Sequence, residues 1–155
     1  MSAIQRGIRR FGHTKTFALV MKHVAHRLDN FVSRVTGGKR TLAGTALPTL
    51  ILVPRGARSG KTYHTPRASI DVGDGFGLVG SNYGQQHHPA WSGNLLANAD
   101  AEVVVDGQTI PVRARRVSGD EKAALWPRFT AIWPAYDTYV ERSGRDLRVF
   151  VLEKR

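Results

Sequence analysis

The chain has 155 residues, of which 41% are apolar or aromatic and 23% are charged, and it contains no cysteine. These values are typical of one folded domain that buries about 70% of its unfolded surface, and they exclude disorder. Without cysteine there is no disulfide, thiolate metal site or cysteine nucleophile. No apolar run approaches the roughly 20 residues of a membrane span, and the start of the chain lacks the pattern of a secretory signal. A cytoplasmic protein is expected.

The net charge of +11 is concentrated at the N-terminus. Residues 1–40 contain nine basic residues and one acidic residue, for a net charge of +8. Such a segment attracts nucleic acid, an anionic membrane surface or a polyanionic ligand, and charge alone does not choose among them. A basic arm that is merely solvated is the other interpretation.

Within residues 14–36, apolar side chains recur at steps of three and four, which predicts an amphipathic helix. They are Phe17, Met21, Val24, Leu28, Phe31 and Val35. This stripe either packs on the core or lies in a membrane interface, where it would give a peripheral contact on the inner face of the plasma membrane. We therefore divide the chain into a basic arm with an amphipathic helix, 1–40, and a second domain, 41–155.

After Gly44 the sequence changes to short β-rich runs separated by Gly, Pro and Asp, which indicates antiparallel strands. The predicted strands are 47–54, 65–72, 76–81, 101–106, 109–117 and 147–153. Asp106-Gly107 predicts a hairpin turn, and residues 71–75 predict a second, looser one. The fold class is therefore α+β, with six or so mostly antiparallel strands in a closed or split β-barrel and helices packed around it.

Two helical regions interrupt the predicted strands. Residues 89–98 form a short helix, and Ser118 with Glu121 has the spacing of a capping box before a second helix. Pro127 and Pro134 are predicted to break this second helix, with Pro134 opening a further helix that carries Tyr136 and Tyr139.

The first candidate site is the glycine-containing loop within residues 53–62, which holds three cations and two hydroxyls. Its backbone N–H groups could form an anion-binding nest. Gly60-Lys61-Thr62 looks like part of a P-loop, but Arg55 stands where that motif requires glycine, so a nucleoside triphosphatase is disfavoured. The alternative is an exposed basic hairpin loop.

The second candidate site lies within residues 79–95, where a strand ends in Gly80-Ser81-Asn82 and a short helix starts at Pro89 with an early Trp91. Amides, a hydroxyl and an apolar wall together suit a flat aromatic ligand. The alternative is a core tryptophan and an Asn94 that is a hydrogen-bonding residue on the side of the helix.

The third candidate site is the aromatic stretch 126–139, whose phenols could meet a substrate oxygen, or whose rings could simply close one end of the barrel. Other chemistry is poorly supported. The histidines lack acidic co-ligands, so no metal site is predicted, and no G-x-S-x-G elbow occurs. Asp71 and Asp74 suit a turn better than glycoside chemistry.

Taken in chain order, the three segments resemble the deazaflavin-dependent nitroreductase family, the A-type flavin and deazaflavin oxidoreductases. The resemblance runs from about residue 48 to the C-terminus and keeps the order of the family's motifs. These are a basic glycine loop with a later proline, then S-x-x-G, N-P-x-W and N-L-x-A-N, then W-P and Y-P-x-Y-x-x-Y. The matching residues are 56–61 and Pro66, 81–84, 88–91 and 94–98, and then Trp126, Pro127, Pro134, Tyr136 and Tyr139.

The resemblance implies a split β-barrel that binds reduced coenzyme F420 and transfers a hydride to a quinone, an activated nitroaromatic or an enone. The cofactor carries the chemistry. The implied cofactor-binding residues are Arg58, Ser59, Gly60, Lys61, Pro66, Ser81, Asn82, Pro89 and Trp91.

On the substrate side, the resemblance implies Ser81, Tyr136 and Tyr139 as catalytic residues that polarise the acceptor oxygen or relay a proton. Trp133, Tyr136 and Tyr139 are the implied substrate-binding residues.

This chain departs from the family's pattern at several positions. Asn82 stands where lysine is frequent, Tyr63 and Ala57 where arginine is frequent, and Trp133 where the nitroreductase has tyrosine. Arg67, in place of the usual aliphatic residue, adds a cation.

Three other interpretations stay open at this point. The same barrel could bind FMN or a haem-related group, or it could bind a lipid without catalysis. Residues 1–40 could make the protein a membrane-binding module. Nucleic acid is disfavoured because the aromatic residues and the positive charge lie in different parts of the chain. The oligomeric state is not predicted.

Overall fold

A computed structural model describes residues 47–155, which form seven β-strands and three α-helices. The predicted amphipathic helix and the basic arm lie outside the described residues. The elements are β1 (Thr49–Val53), β2 (Thr65–Ala68), β3 (Ile70–Val72), β4 (Gly75–Gly80), α1 (Ala90–Ala97), β5 (Asp100–Val105), β6 (Gln108–Val117), α2 (Gly119–Ile132), α3 (Ala135–Ser143) and β7 (Arg148–Lys154).

All seven strands belong to one antiparallel sheet with the order β2-β1-β5-β6-β7-β4-β3. Strands β2 and β3 lie at opposite edges of this sheet, yet only Ser69 separates them along the chain. The sheet must therefore curl until its two edges meet. The predicted α+β split β-barrel is confirmed.

The prediction of a single strand over 65–72 was wrong. The segment turns at Ser69, which is buried and whose N–H donates to the carbonyl of Pro48 (2.9 Å). Residues before Ser69 pair with β1, and residues after it pair with β4. The β-rich pattern of residues 65–72 could not show that this segment forms both edge strands of the sheet, because the curl of the sheet decides which strands pair.

Both predicted hairpins are present. Asp106 and Gly107, at φ 50° and 78°, form a two-residue turn between the paired residues Val105 and Gln108. The second hairpin is tighter than predicted, because Val72 pairs with Gly75 and leaves only two residues in its turn.

Alternating side chains of the strands supply two hydrophobic clusters, as the period of two requires. On β7, Phe150 and Leu152 face the barrel interior, where they join Trp91 and Leu95 of α1. The intervening Val149 and Val151 face the other way and pack under α2 and α3. Strand β7 is thus buried on both faces, and it fixes the positions of all three helices.

Helix α2 differs from the prediction in two ways. It continues through the exposed Pro127 and ends only at Ile132. Ser118 precedes the helix but makes no side-chain capping bond. The Glu121 carboxylate, which would supply the other half of a capping box, is held by Arg115 at 2.7 and 2.8 Å. As predicted, α3 begins directly after Pro134.

Candidate active site

The basic loop, residues 55–62 between β1 and β2, is a compact exposed turn. Arg55 and Thr62 pair across its base. The Gly56 N–H donates to the Lys61 carbonyl (2.7 Å), and the Gly60 N–H donates to the Gly56 carbonyl (2.9 Å). Gly60 has φ 67°, which a side chain would strain. Arg58 and Lys61 are exposed, and neither makes an ion pair with any carboxylate of residues 47–155.

Internal bonds use several of the backbone N–H groups of the basic loop. The Lys61 N–H donates to the Ser59 hydroxyl (3.2 Å), and the Ser59 hydroxyl also bonds the phenol of Tyr63 (2.8 Å). An anion would therefore be attracted mainly by the charged side chains of the loop, and less by free backbone N–H groups. Tyr63, which replaces an arginine of the family pattern, stiffens the loop.

One side chain ties the basic loop to helix α1. The amide oxygen of Asn94 accepts the Ala57 N–H at 3.0 Å. Asn94 is thus a hydrogen-bonding residue on the side of the helix, as the alternative interpretation had it, and its partner lies 37 residues away in the chain. The first two candidate sites are neighbours in space.

Trp91, predicted as the apolar wall of the second candidate site, belongs to the core cluster inside the barrel. Its side chain is buried and packs at a tilt on Phe150, with 5.8 Å between the ring centroids. The Arg67 guanidinium lies over the Trp91 ring, 5.6 Å from its centroid. The indole N–H has no hydrogen-bond partner among the described residues. Pro89, immediately before α1, lies against Gly80 at the end of β4.

Arg67 is half-buried on strand β2, with the buried Pro66 before it. Burial lowers its pKa, and the nearby phenols of Tyr83 and Tyr136 partly offset this effect. Its side chain therefore points into the site, between the Trp91 ring and the tyrosines. The sequence indicated an added cation here but not its direction.

The aromatic stretch forms a set of edge and tilted ring contacts between α2 and α3. The ring centroid of Tyr136 lies 6.3 Å from those of Phe129 and Tyr139, and the ring centroid of Tyr139 lies 6.3 Å from that of Tyr83. Trp133 is buried and donates its indole N–H to the Tyr139 hydroxyl at 3.4 Å. These rings belong to the cluster that packs on Val149 and Val151, on the face of β7 opposite the barrel interior.

Burial also keeps the two central phenols protonated. It raises the pKa of Tyr139 to about 12, a rise that the Trp133 hydrogen bond partly opposes. The pKa of Tyr136 rises further for the same reason, with Tyr139 and Tyr83 adding to the effect. Both groups are therefore neutral O–H donors at any physiological pH.

The loop after β4, residues 81–88, connects the ring site to the tyrosines. Asn82 and Tyr83 adopt positive φ values (47° and 54°), and the Asn82 amide donates to the His87 carbonyl at 3.0 Å. Gly84 packs so closely on Tyr139 that a Cβ would lie 3.1 Å from its ring. Half-buried Ser81, at the start of this loop, thus lies on the same side of the barrel as Tyr136 and Tyr139.

Sequence reasoning missed Arg145, which follows helix α3. Its guanidinium bonds the carbonyls of Ser81 and Gln85 and the ring of His88. No motif marks it, because its three acceptors lie 57 to 64 residues away in the chain. Among residues 47–155 there is no cluster of potential metal ligands, and no helix there is long and apolar enough to span a membrane.

Comparison with known proteins identifies relatives along most of the chain. A model of the F420H(2)-dependent quinone reductase family matches residues 25–154. A candidate F420H(2)-dependent quinone reductase of Mycobacterium tuberculosis is 34% identical over 109 residues, which cover 70% of this chain and 92% of that protein. An F420H(2)-dependent quinone reductase of the same species is 29% identical over 139 residues, covering 83% and 89%.

Solved structures point the same way. The structure of an F420-H2 dependent reductase, FDR-A, is similar with a TM-score of 0.63 and 28% identity, and it covers 68% of this chain and 94% of that one. The predicted deazaflavin-dependent family is confirmed. The chain belongs to the F420H(2)-dependent quinone reductase family, whose members are oxidoreductases that use coenzyme F420.

Proposed function

We propose that this protein reduces a quinone, with the acidic tail of F420 on the basic loop and the deazaflavin ring beside Trp91. One observation carries this assignment: Asn94 joins the basic loop, whose cations pair with no carboxylate of residues 47–155, to the helix that carries Trp91. A ligand that is anionic at one end and flat at the other matches this arrangement.

The anionic end of the cofactor is assigned to Arg58, Ser59, Gly60 and Lys61. Because the two cations have no carboxylate partners among the described residues, they bind a phosphate or glutamate carboxylate without breaking an existing ion pair. Asn82 brings no charge to the site, in contrast to the frequent lysine. Its amide instead shapes the 81–88 loop by bonding His87.

The ring end is assigned to Ser81, Pro89 and Trp91, with Pro66 and Arg67 on the neighbouring strand. The guanidinium over the Trp91 face places a buried positive charge where an electron-rich ring would lie. The residues present thus suit a deazaflavin, an aromatic ring system with polar edges.

Reduced F420, when bound, supplies a hydride to the acceptor. A quinone that takes up a hydride still needs a proton on its second oxygen to become a hydroquinone. We assign the stabilisation or protonation of that oxygen to the neutral O–H groups of Tyr136 and Tyr139, with the Ser81 hydroxyl as a further donor. Trp133 shapes this pocket and orients Tyr139 through its indole N–H.

The direct test is a fluorescence titration of the full chain with F420 and, in parallel, FMN, followed by turnover with reduced F420 and a quinone. We expect saturable binding of F420 and reduction of the quinone. Binding of FMN alone would contradict the cofactor assignment, and binding of neither would favour a lipid-binding barrel. Nitroaromatics and enones, assayed beside the quinone, define the range of acceptors.

We also propose a peripheral membrane contact through residues 1–40, on the strength of their net charge of +8 and their amphipathic pattern. The full chain should sediment with anionic vesicles and lose that binding as salt is raised. Equal sedimentation with neutral vesicles would contradict an electrostatic contact.

A further inference from the structure

Two arginines bond the 81–88 loop. Arg142 donates to the Tyr83 carbonyl (3.3 Å) and its own carbonyl accepts the Gln86 amide (3.4 Å), while Arg145 makes the larger set of contacts. Arg145 donates its Nε–H to the Gln85 carbonyl, one Nη to the Ser81 carbonyl and the other Nη to Nδ1 of His88, each at 2.8 Å. These acceptors span nearly the whole loop. Arginine alone among side chains offers several donors in one rigid plane, so lysine cannot reproduce this arrangement.

Arg145 also fixes the loop relative to the tyrosines. It follows Gly144, which has φ 60° and ends helix α3, and its own N–H donates to the Ser143 hydroxyl (3.2 Å). Helix α3 carries Tyr136 and Tyr139. Ser81 on one side and the phenols on the other are therefore connected through Arg145.

The bond to His88 sets a condition on the charge of that imidazole. Because arginine can only donate, Nδ1 of His88 must accept, which requires the neutral ring. A protonated His88 would turn a second donor toward the guanidinium. The bond therefore exists only while His88 is neutral.

The charged groups around His88 favour the neutral form. Burial, Arg148, Arg145 and Arg116 lower the pKa of His88, and only Asp146 opposes them. Asp146 is already bound by Lys122 at 2.5 Å and Arg116 at 3.5 Å. A histidine whose pKa is lowered by folding stabilises the fold fully above its unfolded value near 6.5, and that contribution is lost as the pH falls below it.

We propose that Arg145 is a positioning residue that holds residues 81–88 so that Ser81 faces the tyrosines of α3, and that it does so only while His88 is neutral. The role assigned to Ser81 rests on the proposed function. The restraint on the loop does not, because it needs no cofactor.

The test is hydrogen exchange of the full chain without cofactor, corrected for the intrinsic pH dependence of exchange. The reporters are the amides of Gly84 and Gln85, which bond carbonyls within the loop at 3.0 and 3.1 Å. In Arg145→Lys we expect about a tenfold loss of their protection near neutral pH. The matched control is Arg113→Lys, an exposed arginine paired with Asp100, which should change nothing.

His88→Asn separates the two parts of the proposal, because its amide oxygen can accept the Arg145 bond at any pH. The native protein should lose loop protection as the pH falls below about 6.5, whereas His88→Asn should keep it. Unchanged protection in Arg145→Lys would overturn the positioning role. The same acid loss in His88→Asn as in the native protein would overturn the role of His88.

A steady-state measurement then connects the loop to the site. Arg145→Lys should lower kcat with reduced F420 and a quinone about tenfold. If the loop loosens but turnover is unchanged, the role of Ser81 in the proposed function is wrong and the restraint by Arg145 stands.

Discussion

The two ends of the candidate site are built on opposite principles. At the basic loop, exposed cations have no carboxylate partner among residues 47–155, and short backbone bonds hold the turn. At the aromatic end, phenols are buried among rings and kept neutral. In the proposed function the accessible charge binds the cofactor and the neutral donors act in the chemical step, so the two ends should fail in different ways.

The basic loop also differs from the surface around β6 in how its cations are paired. On β6 and nearby, Arg113 and Arg155 both pair with Asp100, and Arg115 pairs with Glu121 and Glu153. Exposed pairs of this kind contribute at most about 1 kcal/mol each to folding. These pairs neutralise positive charge around β6, whereas Arg58 and Lys61 of the basic loop pair with no carboxylate of residues 47–155.

The largest expected effect is at the basic loop. The double substitution Arg58→Ala/Lys61→Ala should weaken F420 binding about a hundredfold, because two charge-assisted contacts to the acidic tail are lost. At saturating cofactor, kcat should change little. Isothermal titration against the matched variant Arg113→Ala/Arg155→Ala, which removes the same charge elsewhere, makes the comparison. Equal losses in the two variants would mean that only net charge matters.

The next effect is at the aromatic end. Tyr136→Phe removes a buried hydroxyl while keeping the ring contacts, so kcat should fall about tenfold and F420 affinity should stay within about twofold. Stopped-flow reduction of a quinone separates the two quantities. A weaker F420 affinity at unchanged kcat would mean that Tyr136 contacts the cofactor. It would contradict the proposed difference between the two ends of the site.

A smaller effect should come from the residue that joins the loop to α1. Asn94→Ala removes the acceptor of the Ala57 N–H and loosens the loop, and F420 binding should weaken about fivefold, in line with one hydrogen bond. Asn94→Asp keeps the acceptor and should restore the loop geometry, although its negative charge opposes the anionic ligand. Full affinity in Asn94→Ala would show that the loop holds its shape alone.

The smallest effect at neutral pH is the titration of the phenols. Folding raises the pKa of Tyr139 to about 12, so its contribution to stability is fully present below the unfolded value near 10 and is lost as the pH rises through 12. The free energy of unfolding should therefore not change through this group up to about pH 9, and it should fall above pH 10. Phenolate absorbance appearing before unfolding would contradict the buried, neutral phenols.

Much of this architecture follows from the sequence, for physical reasons that differ by element. The hairpin at Asp106-Gly107 and helix α1 depend on local turn and capping preferences, so local residues predict them. The split of 65–72 at Ser69 depends on which strands the curled sheet brings together, and no local pattern encodes that.

The site shows the same division. The motifs located the basic loop, Trp91 and the tyrosines because each is a contiguous segment with a typical composition. The contacts that bring these segments together could not be predicted from the sequence. The bonds of Asn94 to Ala57 and of Arg145 to Ser81 join positions that are far apart in the chain. The direction of Arg67 depended on the strand register, which the pairing of β2 with β1 fixes.

The break between β2 and β3 at Ser69 also bears on the hazard of aggregation through the sheet edges. Sheet edges are places where another chain can add a strand and start aggregation, and long flat edges carry the greatest hazard. Here the two edge strands have only four and three residues, and Pro66 takes away one N–H from the first. Because one short segment supplies both edges, a single change that lengthens it, such as an insertion beside Ser69, would expose both to aggregation at once.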